Sequence, residues 1–274
     1  MTLKRKGWRV ALAKAGVAGV VVALLAAAPL AQAGEPIAPR ALPALGLAGA
    51  MPVDADLDHL FEFPLPARIK QANGETTLID LRHCRDWLQL PRSQVVGSDN
   101  EAGWQVLRMQ GVRCDAMALL RSATPADRTA LPARFASLLA TALYPASLAL
   151  APSRDERARW AKPGSTLAQA TGRARWQLDS QAGVQSSPAA PAKPGLREPT
   201  LVLRPGGSLV QLTLLARGDF DHDGWEDAAF LWQAAVTQGT LVDARLVVLT
   251  RYRSAAGPLL RELAVEALLP GPGR

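Results

Sequence analysis

One short stretch of the sequence combines acidic residues and a glycine at the spacing of a cation-binding loop. After Gly218 come Asp219, Phe220, Asp221, His222, Asp223, Gly224, Trp225, Glu226 and Asp227, which is the pattern D-x-D-x-D-G-x-x-D. Acidic residues at alternate positions of a tight loop point their carboxylates inward, and a hard cation such as calcium takes six to eight oxygen ligands. The glycine at the sixth position allows the sharp turn that brings the next carbonyl to the ion. The spacing therefore predicts a calcium loop.

This loop resembles the calcium loops of FG-GAP type repeats, which occur in integrin alpha chains and in many bacterial surface proteins and join two strands of a sheet. The likeness covers residues 218–227, with apolar flanks at 212–216 and 228–232. It does not imply a propeller, because those proteins repeat the loop in every blade and this sequence contains one copy. The resemblance implies Ca²⁺ as the ligand, held by the side chains of Asp219, Asp221, Asp223 and Asp227 and by the backbone of Trp225.

The loop is shorter than an EF-hand loop, because its twelfth position is Phe230 instead of a bidentate glutamate. A solvated acidic turn without an ion is the alternative, although four like charges held close together without a cation are costly. Glu226 is expected to be exposed and not to be a ligand. His222 offers a nitrogen at an oxygen site and is expected to point to solvent.

The sequence contains no recognisable catalytic constellation. We find no G-x-S-x-G, H-E-x-x-H or P-loop motif, and His59, His83 and His222 lie in unrelated contexts. We therefore expect a calcium-binding structural or binding protein more readily than an enzyme. The alternative is an envelope-directed hydrolase that uses the loop to shape a substrate groove. Any two of the 24 acidic residues of the chain can meet in space, and a pair of carboxylates can catalyse hydrolysis. An envelope protein or glycan partner is left open.

The N-terminus has the pattern of a secretory signal peptide over residues 1–33. Basic residues are followed by an apolar run and by Ala31, Gln32 and Ala33, a small-residue cleavage pattern. An uncleaved anchor is the alternative, but the apolar run falls short of the roughly 20 residues that span a bilayer. Removing the segment takes away five basic residues and no acidic one, so the net charge falls from +7 to +2. We expect a periplasmic or secreted protein with no membrane span after cleavage and no nucleic-acid partner.

The two cysteines, Cys84 and Cys114, are expected to form a disulfide, because an isolated pair in an exported protein meets an oxidising compartment. The alternative is that Cys114, beside Asp115, is a reactive thiol.

Hydrophobic patterns along the rest of the chain predict an α+β fold. An extended lead-in over 34–53 precedes a mixed part over 54–180, a linker or loop rich in Pro, Ala and Ser covers 181–199, and a mainly antiparallel β part with the calcium-type loop covers 200–274. Predicted strands cover 61–70, 76–81, 104–110, 210–216, 241–253 and 259–268, and predicted helical segments cover 84–90, 114–121 and 124–143.

Overall fold

A computed structural model of the chain describes residues 35–42, 57–58, 60–132, 134–151, 153–179, 200–236, 241–251 and 259–269. The predicted signal peptide over 1–33 and the predicted linker over 181–199 lie outside these residues. Residues Gly34–Arg274 form one compact unit. Within the described part of the chain, no helix is long and apolar enough to cross a membrane.

The fold is α+β, as the sequence predicted. Its elements, in chain order, are β1 (Arg40–Ala41), β2 (Leu60–Lys70), β3 (Thr76–His83), α1 (Cys84–Gln89), β4 (Val95–Gly97), α2 (Glu101–Ser122), α3 (Arg154–Trp160), α4 (Leu167–Thr171), β5 (Gln177–Asp179), β6 (Thr200–Leu203), β7 (Ser208–Gly218), β8 (Asp227–Val236), β9 (Leu241–Arg251), β10 (Leu260–Leu263) and α5 (Val265–Leu268).

The larger sheet is antiparallel and runs in the order β10-β9-β8-β7-β6-β5. The short strand β1, which falls in the predicted lead-in, pairs with β7 at Arg217 and Ala216, beyond the residues of β7 that pair with β6. Strands from both sides of the predicted linker thus share one sheet. A second sheet has the order β3-β2-β4.

Both faces of the larger sheet are buried, because the central strands carry apolar residues on both sides. Along β9, Leu246 and Val248 face the cluster formed with α2 and the smaller sheet. Val247 and Leu249 face a second cluster, formed with residues of the 131–149 segment and with Leu167 and Trp176. The strand predicted over 241–253 is therefore β9, which lies between β8 and β10 and is buried on both faces.

The predicted strand over 104–110 is wrong, because these residues lie in the middle of α2. Asn100 caps this helix: its side-chain oxygen accepts a hydrogen bond from the backbone N–H of Gly103 at 2.8 Å. Gly111, which directly follows the residues of the predicted strand, is buried inside the helix, where a Cβ would lie 2.3 Å from the ring of Trp87. Close helix packing against this ring explains the glycine better than a turn does.

The Cys84–Cys114 disulfide is present and joins α1 to α2, with Cα atoms 5.1 Å apart. Both cysteines of the sequence are therefore paired, and neither is free. The reading of Cys114 as a reactive thiol is wrong.

Two further element predictions are wrong. The predicted helix over 124–143 consists of extended segments and short 3-10 turns at Phe135–Ser137 and Thr141–Leu143. Pro132 lacks a backbone N–H and interrupts helical hydrogen bonding there, and the large side chain of Phe135 is buried. The predicted strand over 259–268 stops at Leu263 and continues as the short helix α5.

Candidate metal centre

The candidate loop connects β7 and β8, two long neighbouring strands of the larger sheet. β7 ends at Gly218, β8 begins at Asp227, and these two residues are paired across the hairpin. Apolar residues of both strands are buried, which fixes the register of the hairpin and with it the place where the loop begins and ends. The acidic loop is therefore held at both ends by the paired strands β7 and β8.

Asp219 shapes the loop from inside. Its side chain is 2% exposed, and its two carboxylate oxygens accept hydrogen bonds from the backbone N–H groups of Asp223, at 3.1 Å, and Gly224, at 2.9 Å. Gly224 has a positive φ of 81°, a conformation that favours glycine. The sharp turn predicted from the glycine is thus present, and it folds the chain back around the Asp219 carboxylate.

The segment after α2 is joined to the loop by backbone hydrogen bonds. Thr124 and Asp219 exchange backbone hydrogen bonds at 3.1 and 3.3 Å. The carbonyl of Gly224 accepts hydrogen bonds from the backbone N–H groups of Asp127 and Arg128. Sequence analysis placed this segment in a helix and so missed its contact with the loop. Nothing in the sequence around Thr124 and Asp127 indicated that these residues contact the loop.

Three of the predicted ligands meet in space. One carboxylate oxygen from each of Asp219, Asp221 and Asp227 lies within 4.8 Å of the other two, which is close enough to hold a metal ion. Asp219 and Asp227 are buried, and Asp221 is half-buried. One oxygen of Asp221 and one of Asp227 are buried without a hydrogen-bond partner among the described residues. The cluster thus has free acceptor capacity directed away from solvent.

Burial and mutual repulsion make the cluster unfavourable for three negative charges. The pKa of Asp227 is raised to about 7, mainly by burial and also by the charges of Asp221 and Asp223, while the Thr250 side chain and the Phe220 N–H oppose the shift. Burial, followed by the charge of Asp223, also raises the pKa of Asp221, while Arg261 opposes that shift. A bound cation would remove this penalty, because it would supply the missing positive charge.

The side chain of Asp223, another predicted ligand, is not part of this cluster of three. Asp223 is exposed, and its carboxylate accepts a hydrogen bond from the backbone N–H of Trp225 at 2.9 Å. Two guanidinium groups lie near the half-buried Trp225 ring, that of Arg251 at 4.3 Å and that of Arg128 at 5.6 Å from the ring centre. His222 is exposed, in keeping with its predicted direction.

The prediction that Glu226 is exposed is wrong. Its side chain is 2% exposed and accepts a hydrogen bond from Nη2 of Arg217 at 2.6 Å, and the Arg217 side chain is equally buried. Arg217 also donates to the carbonyl of Pro132 at 2.8 Å. Because its carboxylate is held by Arg217, Glu226 serves as an anchor between the loop and the 131–132 segment.

Arg261 is a neighbour of the cluster that sequence analysis did not identify. Its guanidinium lies 3.9 Å from the Asp221 carboxylate, and its backbone is paired with Thr250, beside Asp227. The strand containing Arg261 was predicted, but the register that brings it beside the loop depends on pairing across the sheet.

No protein-family model matches the chain, and searches of curated proteins and of solved structures found no matching protein.

Proposed function

We propose that the protein is an exported calcium-binding protein in which the loop over 219–227 holds one Ca²⁺ ion and serves a structural or binding role. The observation that carries this proposal is the cluster of Asp219, Asp221 and Asp227, in which buried carboxylate oxygens lack partners among the described residues. The disulfide supports export, because such bonds persist in oxidising compartments. The basic and apolar pattern over 1–33 supports it independently.

The donor chemistry favours calcium over other divalent ions. The three clustered groups supply only carboxylate oxygens, the ligands preferred by hard cations, and no thiolate or imidazole belongs to the cluster. Zinc sites use cysteine and histidine as well, and magnesium demands a nearly ideal octahedron and keeps several waters. The flexible oxygen shell of calcium can combine these carboxylates with carbonyls and water.

A bound ion would mainly stabilise the folded state. The loop joins β7 to β8 and contacts the segment after α2, so neutralising its charges favours the folded arrangement of all three. Extracellular modules bind calcium with a Kd on the order of 0.1 to 1 mM. Calcium at ten times Kd would then stabilise the folded protein by about 1.4 kcal/mol.

The test is the thermal unfolding midpoint of the chain from Gly34 onward, measured in calcium, magnesium and chelator. We expect calcium to raise the wild-type midpoint and magnesium to raise it less. In Asp221→Asn and Asp227→Asn the calcium-dependent rise should shrink. Asp80, an exposed residue of β3, supplies the matched control, and Asp80→Asn should keep the full rise.

Asp227→Asn has a second expected effect of opposite sign. In chelator, the variant should unfold at a higher temperature than the wild type, because it removes one of three repelling carboxylates and keeps an acceptor for the Phe220 N–H. In calcium, it should unfold at a lower temperature than the wild type. A wild-type midpoint that does not respond to calcium, with isothermal titration showing no binding, would refute the proposal.

A further inference from the structure

Arg261 places a positive charge beside the acidic cluster of the loop. Its Nη2 atom lies 3.9 Å from Oδ2 of Asp221, which is too far for a hydrogen bond but close enough for attraction between the charges. The other carboxylate oxygen of Asp221 is buried and has no hydrogen-bond partner among the described residues. Arg261 therefore offsets part of the charge of Asp221 without using its free acceptor capacity.

The backbone position of Arg261 is set by the pairing of three strands. Arg261 on β10 is paired with Thr250 on β9. Leu249, the neighbour of Thr250, is paired with Ala228 on β8. Ala228 directly follows Asp227, a member of the acidic cluster. The register of the sheet therefore holds the backbone of Arg261 beside the loop.

The side chain of Arg261, unlike its backbone, can leave the cluster at little cost. It is 51% exposed, and an ion pair with an exposed partner contributes little to stability. Arg261 also lines an open cleft whose walls include α2, β9 and β10, which gives the side chain room to move. Arg217, by contrast, is buried and is held in place by Glu226. Of these two arginines, Arg261 is therefore the one that an incoming cation can displace.

From these observations we infer that Arg261 is the counter-ion of the ion-free loop, that calcium displaces it, and that its charge thereby weakens calcium binding. This inference rests on the proposed calcium site and names a residue that sets its affinity. Calcium and the guanidinium compete for the negative charge of Asp221, and a guanidinium that stays nearby repels the ion. Both effects act in the same direction: the charge of Arg261 stabilises the loop without calcium and raises the Kd for calcium.

The test is the calcium Kd of the chain from Gly34 onward, measured by isothermal titration at low ionic strength. Arg261→Gln should lower the Kd about threefold to tenfold, the range for one unit charge acting through water at about 4 Å. Arg261→Lys keeps the charge, so its Kd should stay closer to that of the wild type. Arg82→Gln removes an exposed arginine from β3 in the smaller sheet and should leave the Kd unchanged.

Two further measurements separate an effect of charge from a change in loop structure. In about 1 M sodium chloride, where the Debye length is about 3 Å, the difference in Kd between the wild type and Arg261→Gln should nearly vanish. In chelator, Arg261→Gln should have a lower thermal unfolding midpoint than the wild type, because the carboxylates lose their counter-ion. The rise of the midpoint on addition of calcium should be larger in Arg261→Gln than in the wild type.

The inference is overturned, and the proposed calcium site is kept, if the wild type binds calcium and Arg261→Gln binds it no more tightly. It is also overturned if the gain in affinity is as large in high salt as in low salt, or if Arg82→Gln produces the same gain. Absence of calcium binding in both the wild type and Arg261→Gln overturns the inference together with the proposed function. Calcium binding by Arg261→Gln alone would support the inference and contradict the proposed function of the wild type.

Discussion

Replacement of Glu226 by leucine is expected to remove a large part of the stability of the protein. Glu226 and Arg217 are each 2% exposed and are joined by a 2.6 Å hydrogen bond between charged groups. Glu226→Leu leaves the Arg217 guanidinium buried without its carboxylate. Breaking a buried pair by removing one partner costs about 3–5 kcal/mol, out of a total unfolding free energy of about 5–15 kcal/mol for a typical domain. Arg40 lies 3.7 Å from Glu226 and is half-exposed, so it adds little to this cost.

Removal of both charges should be less damaging than removal of one. The double variant Arg217→Met with Glu226→Leu replaces the pair by apolar groups, so neither charge remains buried alone, and such replacements are often neutral or stabilising. The double variant still loses the hydrogen bond from Arg217 to the Pro132 carbonyl, which costs about 1–3 kcal/mol if the carbonyl stays unpaired. We therefore expect the double variant to be more stable than Glu226→Leu alone.

The assay is urea unfolding at neutral pH with the disulfide intact, where a changed midpoint with an unchanged slope reports stability. All samples contain chelator, so that calcium binding at the neighbouring loop does not contribute. Asp58→Asn removes one partner of the exposed pair with Arg85 and should change stability by less than about 0.5 kcal/mol. A loss below about 1 kcal/mol for Glu226→Leu, or strict additivity in the double variant, would refute the assignment of Glu226 as a buried anchor.

Two further predictions concern the contact between α1 and α2. Gly111→Ala should destabilise the protein by about 1–3 kcal/mol, although alanine normally favours a helix, because the added Cβ would lie 2.3 Å from the Trp87 ring; a gain in the urea midpoint would contradict this packing. The two cysteines of the Cys84–Cys114 disulfide have a sequence separation of 30. Reduction of this disulfide should cost roughly 3.5 kcal/mol through the greater entropy of the unfolded chain. The measurement is the unfolding midpoint with and without reductant, and equal midpoints would contradict the stabilising role.

The parts of the fold that sequence analysis predicted correctly depend on local patterns. Leu212 and Leu214 alternate with polar residues along β7, and apolar residues fill both faces of β9, so each strand is recognisable without its neighbours. The isolated pair Cys84 and Cys114 admits one intramolecular disulfide. The acidic loop was recognised for the same reason, because its whole pattern lies within one short run of consecutive residues.

The errors arise where distant residues decide the local structure. Trp104 to Gln110 form a helix partly because Asn100 caps it and because Gly111 fits against Trp87, which belongs to the preceding helix α1. Glu226 is buried because Arg217, on the facing strand, supplies a positive charge in the core. Neither partner can be recognised from the residue itself, and a glutamate in an acidic loop is ordinarily exposed.

The loop also shows why alternate acidic residues need not have equal roles. Asp221 and Asp223 are the same residue type two positions apart, yet Asp221 has a buried oxygen in the cluster and Asp223 is exposed. The difference follows from backbone hydrogen bonds: Asp223 accepts from the Trp225 N–H, and Asp219 accepts from the Asp223 and Gly224 N–H groups. These bonds join groups of the protein to one another. The unfavourable energy is therefore concentrated in the carboxylates of Asp221 and Asp227, where a cation would have its largest effect on stability.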